Sequence, residues 1–325
     1  MRHPRLNQGA RLTPLVAVAH GSRDPRAAAT VTELLSAVRA RAARRGLGGL
    51  EVRAAFLDHC APSLPQVLGS MPADGGAAAV VPLLLTAAYH SKADIPARLA
   101  AAAAARPGLD VVSAGTLGPD ALLLAALERR LLEAGVAVGD ARARAATSVV
   151  LAAAGSSDPA ANATIAELAA RWARERGWRA VVPAYASAAG PRPGEAVRAL
   201  REGGAARVAV ATYLLAPGHF ADKVREAALG AGAAAVSGVL GAAPEVADVV
   251  LDRYLAATAG TAGRDGDGSA TAAGPAPAQA RALAPDRLWP QPSYPLRKDV
   301  VAQLGIRSMR GNRRGTDAGT HAAPP

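Results

Sequence analysis

The chain repeats itself. AHGSRDP at 19–25 returns as AAGSSDP at 153–159, an offset of 134. Phe56 and Pro62 return as Tyr185 and Pro191, and His90 returns as His219, all at an offset of 129. GTLG at 115–118 returns as GVLG at 238–241, at 123. An offset that falls in steps is what loop deletions leave in a diverged duplicate. A period this long means two copies of a domain, not a solenoid of short repeats. Each half must therefore solve the same folding problem, with the linker around Val136–Ala146.

Within each half, short apolar runs alternate with longer Ala/Leu/Arg/Glu stretches. The strand-like runs of the first half are Leu15–Ala19, Val52–Leu57, Ala78–Leu85 and Val111–Ala114. Those of the second are Ser148–Ala153, Ala180–Ala186, Arg207–Leu214 and Ala234–Val239. They are continuously apolar, as strands covered on both faces of a parallel sheet are. Helical composition falls at Pro25–Arg45, Ala93–Ala105 and Pro119–Glu133, then at Pro159–Arg176, Pro193–Glu202, Phe220–Leu229 and Pro244–Ala256. Proline sits at the start of several of these, where its missing N–H costs nothing. The β-α-β-α alternation predicts an α/β fold of two tandem doubly wound domains, each a small parallel sheet with helices on both faces. The expected boundaries are a flexible N-terminus at 1–13, domains at 14–136 and 147–258, and a mostly disordered Gly/Ala/Asp/Pro-rich tail at 259–325.

Aromatic residues make up only 3% of the chain, so Ala, Val and Leu must fill the core. The net charge of +11 is almost all arginine, since Lys92, Lys223 and Lys298 are the only lysines. No basic run interleaved with aromatics accompanies it, which argues against nucleic acid. An arginine excess suits a polyanionic small molecule instead. The single cysteine, Cys60, excludes an internal disulfide and a multi-cysteine zinc site; it reads as a small buried residue. The N-terminal segment lacks the apolar core of a secretory signal. The apolar runs stop well short of the about 20 residues a membrane span needs. The expectation is a soluble, cytoplasmic protein.

The chemistry-bearing residues lie at strand ends. His20 follows the first run, Asp58 the second and His90 the third. Ligands of open α/β sheets bind outside the carboxyl ends of the strands, so these three side chains are expected to converge on one edge. Two imidazoles and a carboxylate suit a divalent transition metal or proton transfer. His59, next to Asp58, is expected to point the other way if the strand persists. Other site classes fail: there is no Walker loop, no GxGxxG after a strand and no GxSxG elbow. Histidine phosphatases carry an arginine before the reactive histidine, and here that residue is Ala19.

An apolar strand into HGSRDP, then FLD…APS, then VVPLLLTAAYHSKADIP, resembles the sirohydrochlorin chelatase family of cobalamin and siroheme synthesis. The resemblance is strong over Leu15–Leu132 and diverged in the second half. It implies two chelatase-like lobes in one long chain, and so compatibility with a monomer. It also implies ATP-independent insertion of Co2+ or Fe2+ into a sirohydrochlorin-type tetrapyrrole, with no cofactor beyond that metal substrate. The family's two metal-handling histidines match His20 and His90. Its carboxylate after Phe-Leu is usually Glu, and here it is Asp58, an auxiliary catalytic group on a shorter arm. Ser22, Arg23, Ser91, Lys92 and His219 are the expected substrate contacts, with Arg98 nearby. The second copy offers Ala154, Ser187 and His219 at the matching places, so one working site per chain is expected. The competing reading is a non-catalytic metal- or tetrapyrrole-binding protein.

Overall fold

A computed structural model describes residues 12–72, 76–87 and 94–259. The first half runs β1 (Leu15–Ala19), α1 (Pro25–Arg44), β2 (Val52–Phe56), α2 (Leu64–Gly69), β3 (Ala77–Pro82), α3 (Ile95–Ala105), β4 (Asp110–Ser113) and α4 (Ala121–Glu133). A short α5 (Ala141–Ala146) leads to β5 (Thr147–Ala153), α6 (Pro159–Arg176), β6 (Ala180–Tyr185), α7 (Pro193–Glu202), β7 (Arg207–Tyr213), α8 (His219–Gly230), β8 (Ala235–Val236) and α9 (Pro244–Ala259).

Both halves build the same object. The first sheet has order β2-β1-β3-β4 and the second β6-β5-β7-β8, and every pairing is parallel. The central strands β1 and β5 are buried along their whole length. The helices after them start alike. Asp24 and Asp158 cap α1 and α6 by accepting the N–H of Arg26 and of Ala160, each with proline next in sequence. In α1 the buried positions Val31, Leu34, Leu35, Val38 and Ala42 form one stripe at helical spacing.

β3 stops at Pro82, short of Leu85, and the elements depart from the sequence reading in three further places. α2 is a helix, and its signal was present: Ser63 and Gln66 form a capping box around Pro65. α5 is a helical turn within the expected linker, capped by Asp140. β8 covers two residues, not the six of Ala234–Val239. Beyond Val236, side chains replace the ladder: the Ser237 hydroxyl accepts the Thr212 N–H at 2.9 Å, and the Thr212 hydroxyl donates to the Ser237 carbonyl at 2.9 Å.

The layers show why the halves form one body. Val16 and Val18 of β1 face an outer core with α2 and α3, whereas Leu15, Ala17 and Ala19 face inward. The inward core continues unbroken through α1, α4, α6 and α9 to Val149, Leu151 and Ala153 of β5. α7 and α8 cover the far face of the second sheet. The terminal helices are exchanged: α9 packs on β3 and β4 of the first sheet, and α4 packs on β7 of the second. Polar links hold the exchange. Arg253 of α9 donates to the carbonyls of Thr116 and Leu117, both at 2.8 Å. Trp172 of α6, fully buried, donates its indole N–H to Glu128 of α4 at 3.0 Å. Asp248 of α9, 7% exposed, is paired with Arg41 of α1 and with Arg45 just after it.

Candidate functional site

The carboxyl ends of β1 and β2 and the start of α8 enclose a cleft of about 610 Å³ between the two lobes. His20 lines it, one residue beyond β1. Gly21 turns the chain there at φ +92°, in the region that favours glycine. A Cβ at Gly21 would lie 1.7 Å from the Asp58 carbonyl oxygen, so the two loops touch backbone to backbone. The Asp58 N–H donates to the His20 carbonyl at 2.9 Å, and the Cys60 thiol donates to the Ser22 carbonyl at 3.1 Å. Cys60 is half-buried and ties the loops together. The His20 Nδ1 lies 3.3 Å from the Gly21 carbonyl.

The same loop geometry occurs in the second lobe without the chemistry. Gly155 has φ +84°, and a Cβ there would lie 2.0 Å from the Ser187 carbonyl oxygen. Ala154 stands where His20 stands, and the Ser187 hydroxyl is spent on the Ala154 carbonyl at 2.9 Å. This lobe faces a second chamber of about 320 Å³ bounded by Leu83–Thr86 and by Ala153–Ser156. Among the described residues, its only titratable lining groups are His20 and Tyr213, and burial pushes the Tyr213 phenol well up. His20 therefore sits on the partition between the chambers.

The expected residues divide into three groups. His20, Ser22, Arg23 and His219 line the large cleft together. His219 enters it from the opposite lobe, as the first residue of α8 after the Gly218 turn at φ 149°. Asp58 and Arg98 line neither chamber. Asp58 is 62% exposed and accepts the His59 N–H at 2.9 Å. Arg98 rides on α3, whose Ile95 and Leu99 pack into the outer core. His90, Ser91 and Lys92 lie outside the described residues, as does the tail from 260.

His59 lines the cleft instead of Asp58, contrary to the strand-alternation expectation. The strand ends at Phe56, and His59 takes φ +60°, so the period-two rule no longer applies at this point. Ala188 has φ +57° at the matching position of the second lobe, so the kink belongs to the repeat and the imidazole to the first copy alone. No run in the sequence marks that kink.

Charge in the cleft is one-sided. Its lining holds Arg23 and three imidazoles, and among the described residues no carboxylate lines it. Arg26, just outside, is already taken: it pairs with Asp24 at 2.6 Å and with Asp222 of α8 at 2.5 Å. The paired guanidinium holds Asp24 below the usual carboxylate range. Arg23 has no such partner among the described residues, so its donors are available to an anion. No three metal-ligating side chains cluster among the described residues. The described part of the cleft can thus receive a polyanion and present imidazoles to it. Among the described residues, no helix is long and apolar enough to cross a membrane.

Comparison with known proteins places the chain. The CbiX family model matches residues 14–134 and again 148–257. The sirohydrochlorin ferrochelatase of Priestia megaterium is 28% identical over 172 residues, 53% of this chain and 63% of that protein. The sirohydrochlorin cobaltochelatase of the same organism is 26% identical over 210 residues, 64% of this chain and 66% of that protein. The chain thus spans a little less than two thirds of these relatives. SirB from Bacillus subtilis, solved with Fe3+, superposes with a TM-score of 0.64 at 23% identity, over 78% of this chain and 98% of that one, a likeness of fold. Two family matches in tandem, covering both halves of the repeat, make this chain a member of the CbiX family.

Proposed function

We propose that this chain inserts a divalent metal, Co2+ or Fe2+, into sirohydrochlorin in the cytoplasm, without ATP and with no cofactor beyond the metal it inserts. The observation that carries the reading is His20 at the end of β1, inside an interlobe cleft lined by Arg23, His59 and His219 and by no carboxylate among the described residues. Sirohydrochlorin is a polycarboxylate, so a cationic lining with an available guanidinium suits it. The substrate classes of the relatives, iron and cobalt chelation of this macrocycle, support the same reading.

Insertion requires the macrocycle to lose its pyrrole protons while the metal is held nearby. Neutral imidazole, with an ordinary pKa of about 6.5, can do either. In this proposal His20 receives the metal and passes it to the ring nitrogens. His90, implied by the family resemblance, shares that task, and Ser91 and Lys92 beside it bind the macrocycle. The first copy, 14–136, supplies the chemistry. The second, 147–258, closes the cleft with His219, and one chain holding both lobes works as a monomer.

The test is anaerobic insertion into sirohydrochlorin, followed by absorbance. His20→Ala abolishes turnover with Co2+ and Fe2+ and leaves the unfolding midpoint nearly unchanged. Full activity in that variant overturns the assignment. A wild-type chain that binds metal and macrocycle but never joins them is a binding protein.

A further inference from the structure

We infer that His59, placed by Asp58, is a catalytic residue of the cleft that accepts one of the two protons the macrocycle must release. The inference rests on the chelatase reading above. The position expected to supply a carboxylate supplies an imidazole instead.

Three observations support it. His59 lines the cleft that holds His20, Arg23 and His219, and Asp58 does not. The kink that turns His59 inward is held by its neighbour, whose Oδ1 accepts the His59 N–H at 2.9 Å. The Asp58 Oδ2 then lies 3.6 Å from the His59 Nε2, too long for a hydrogen bond but close enough to balance an imidazolium. Asp58 is thus a positioning residue. The second lobe has the same kink at Ala188, with Ser187 before it, and has neither group.

The step balances. Metal insertion replaces two pyrrole N–H bonds with metal–nitrogen bonds. Each N–H electron pair stays on its nitrogen and goes to the metal. One proton moves to the lone pair of a His59 ring nitrogen, giving an imidazolium beside the Asp58 carboxylate, and the other passes to water in the open cleft. The side chain is 35% exposed, so that proton can then leave to water. Among the described residues, the other charged and titratable groups lining the cleft are His20 and Arg23 on the β1–α1 loop and His219 on α8.

The experiment compares the full chain with His59→Asn, His59→Gln and Asp58→Asn. Asparagine tolerates the left-handed backbone, so the first variant keeps the loop. Two readouts are taken: metal-free sirohydrochlorin binding, and single-turnover Co2+ insertion from pH 5.5 to 8.5. Both His59 variants lose about a hundredfold in insertion rate, the usual worth of a positioned base. Their macrocycle affinity changes less than about threefold, and the low-pH limb of the rate profile flattens. Asp58→Asn keeps the N–H bond, loses the charge and falls in between. Wild-type rate and pH profile in both His59 variants overturn this inference and leave the chelatase reading intact. A wild-type chain that binds the macrocycle but inserts no metal overturns both.

Discussion

Gly21 and Gly155 offer a matched pair of perturbations. Each turns the chain at positive φ, +92° and +84°. Each leaves no room for a Cβ, which would meet the Asp58 or Ser187 carbonyl oxygen at 1.7 or 2.0 Å. Alanine costs about 1–2 kcal/mol for the left-handed backbone. Relieving the clash separates the loops and loses a hydrogen bond, Asp58 to His20 or Ser187 to Ala154, both 2.9 Å, for about 1 kcal/mol more. Gly21→Ala and Gly155→Ala should therefore destabilise the fold alike, by about 2–3 kcal/mol in urea denaturation. Their effects on insertion should differ. In the first lobe the displaced loops carry His20 and His59, and a shift of about 1 Å at reacting groups costs on the order of a hundredfold. In the second lobe they carry Ala154 and Ala188, so Gly155→Ala keeps its rate per folded molecule within about threefold. Equal loss of rate in two equally folded variants would refute the one-site assignment. An unchanged urea midpoint in either would refute the steric argument.

Two further predictions test how the lobes hold together. Arg253→Ala strips donors from the Thr116 and Leu117 carbonyls and a partner at 3.0 Å from Asp120. The urea midpoint should fall by the equivalent of about 2 kcal/mol, with α9 cleaved earlier in limited proteolysis; an unchanged midpoint means the packing of α9 suffices alone. Asp248 gives a pH dependence. Burial pushes its carboxyl up, but Arg41 and Arg45 outweigh that and hold it below the ordinary 3.8. A depressed folded pKa gives stability that is full above the unfolded value and lost as pH falls through the folded one. Unfolding titrations should show stability falling below about pH 4, with a shallower acid limb in Asp248→Asn; identical limbs would show that the pair contributes nothing.

The duplication, the parallel sheets implied by β-α alternation, and His20 at a strand end were legible because each rests on local pattern. Continuous apolar runs mark strands buried on both faces, and a residue just past such a run must lie at the sheet's edge. The Ser63–Gln66 capping box was equally local and marked α2. What tertiary structure alone decided is which side chains share a space. Its strand end placed Asp58 at the sheet's edge and alternation turned His59 away, but the backbone kink at His59 brings that residue into the cleft lining and leaves Asp58 out of it. His219 was an expected contact through the repeat, and the described cleft sets it with His20 from the other copy. The helix exchange that joins the copies left no local trace either. α4 buries an apolar stripe and α9 an almost unbroken run, Val246–Leu251, and such burial does not name the sheet that covers it.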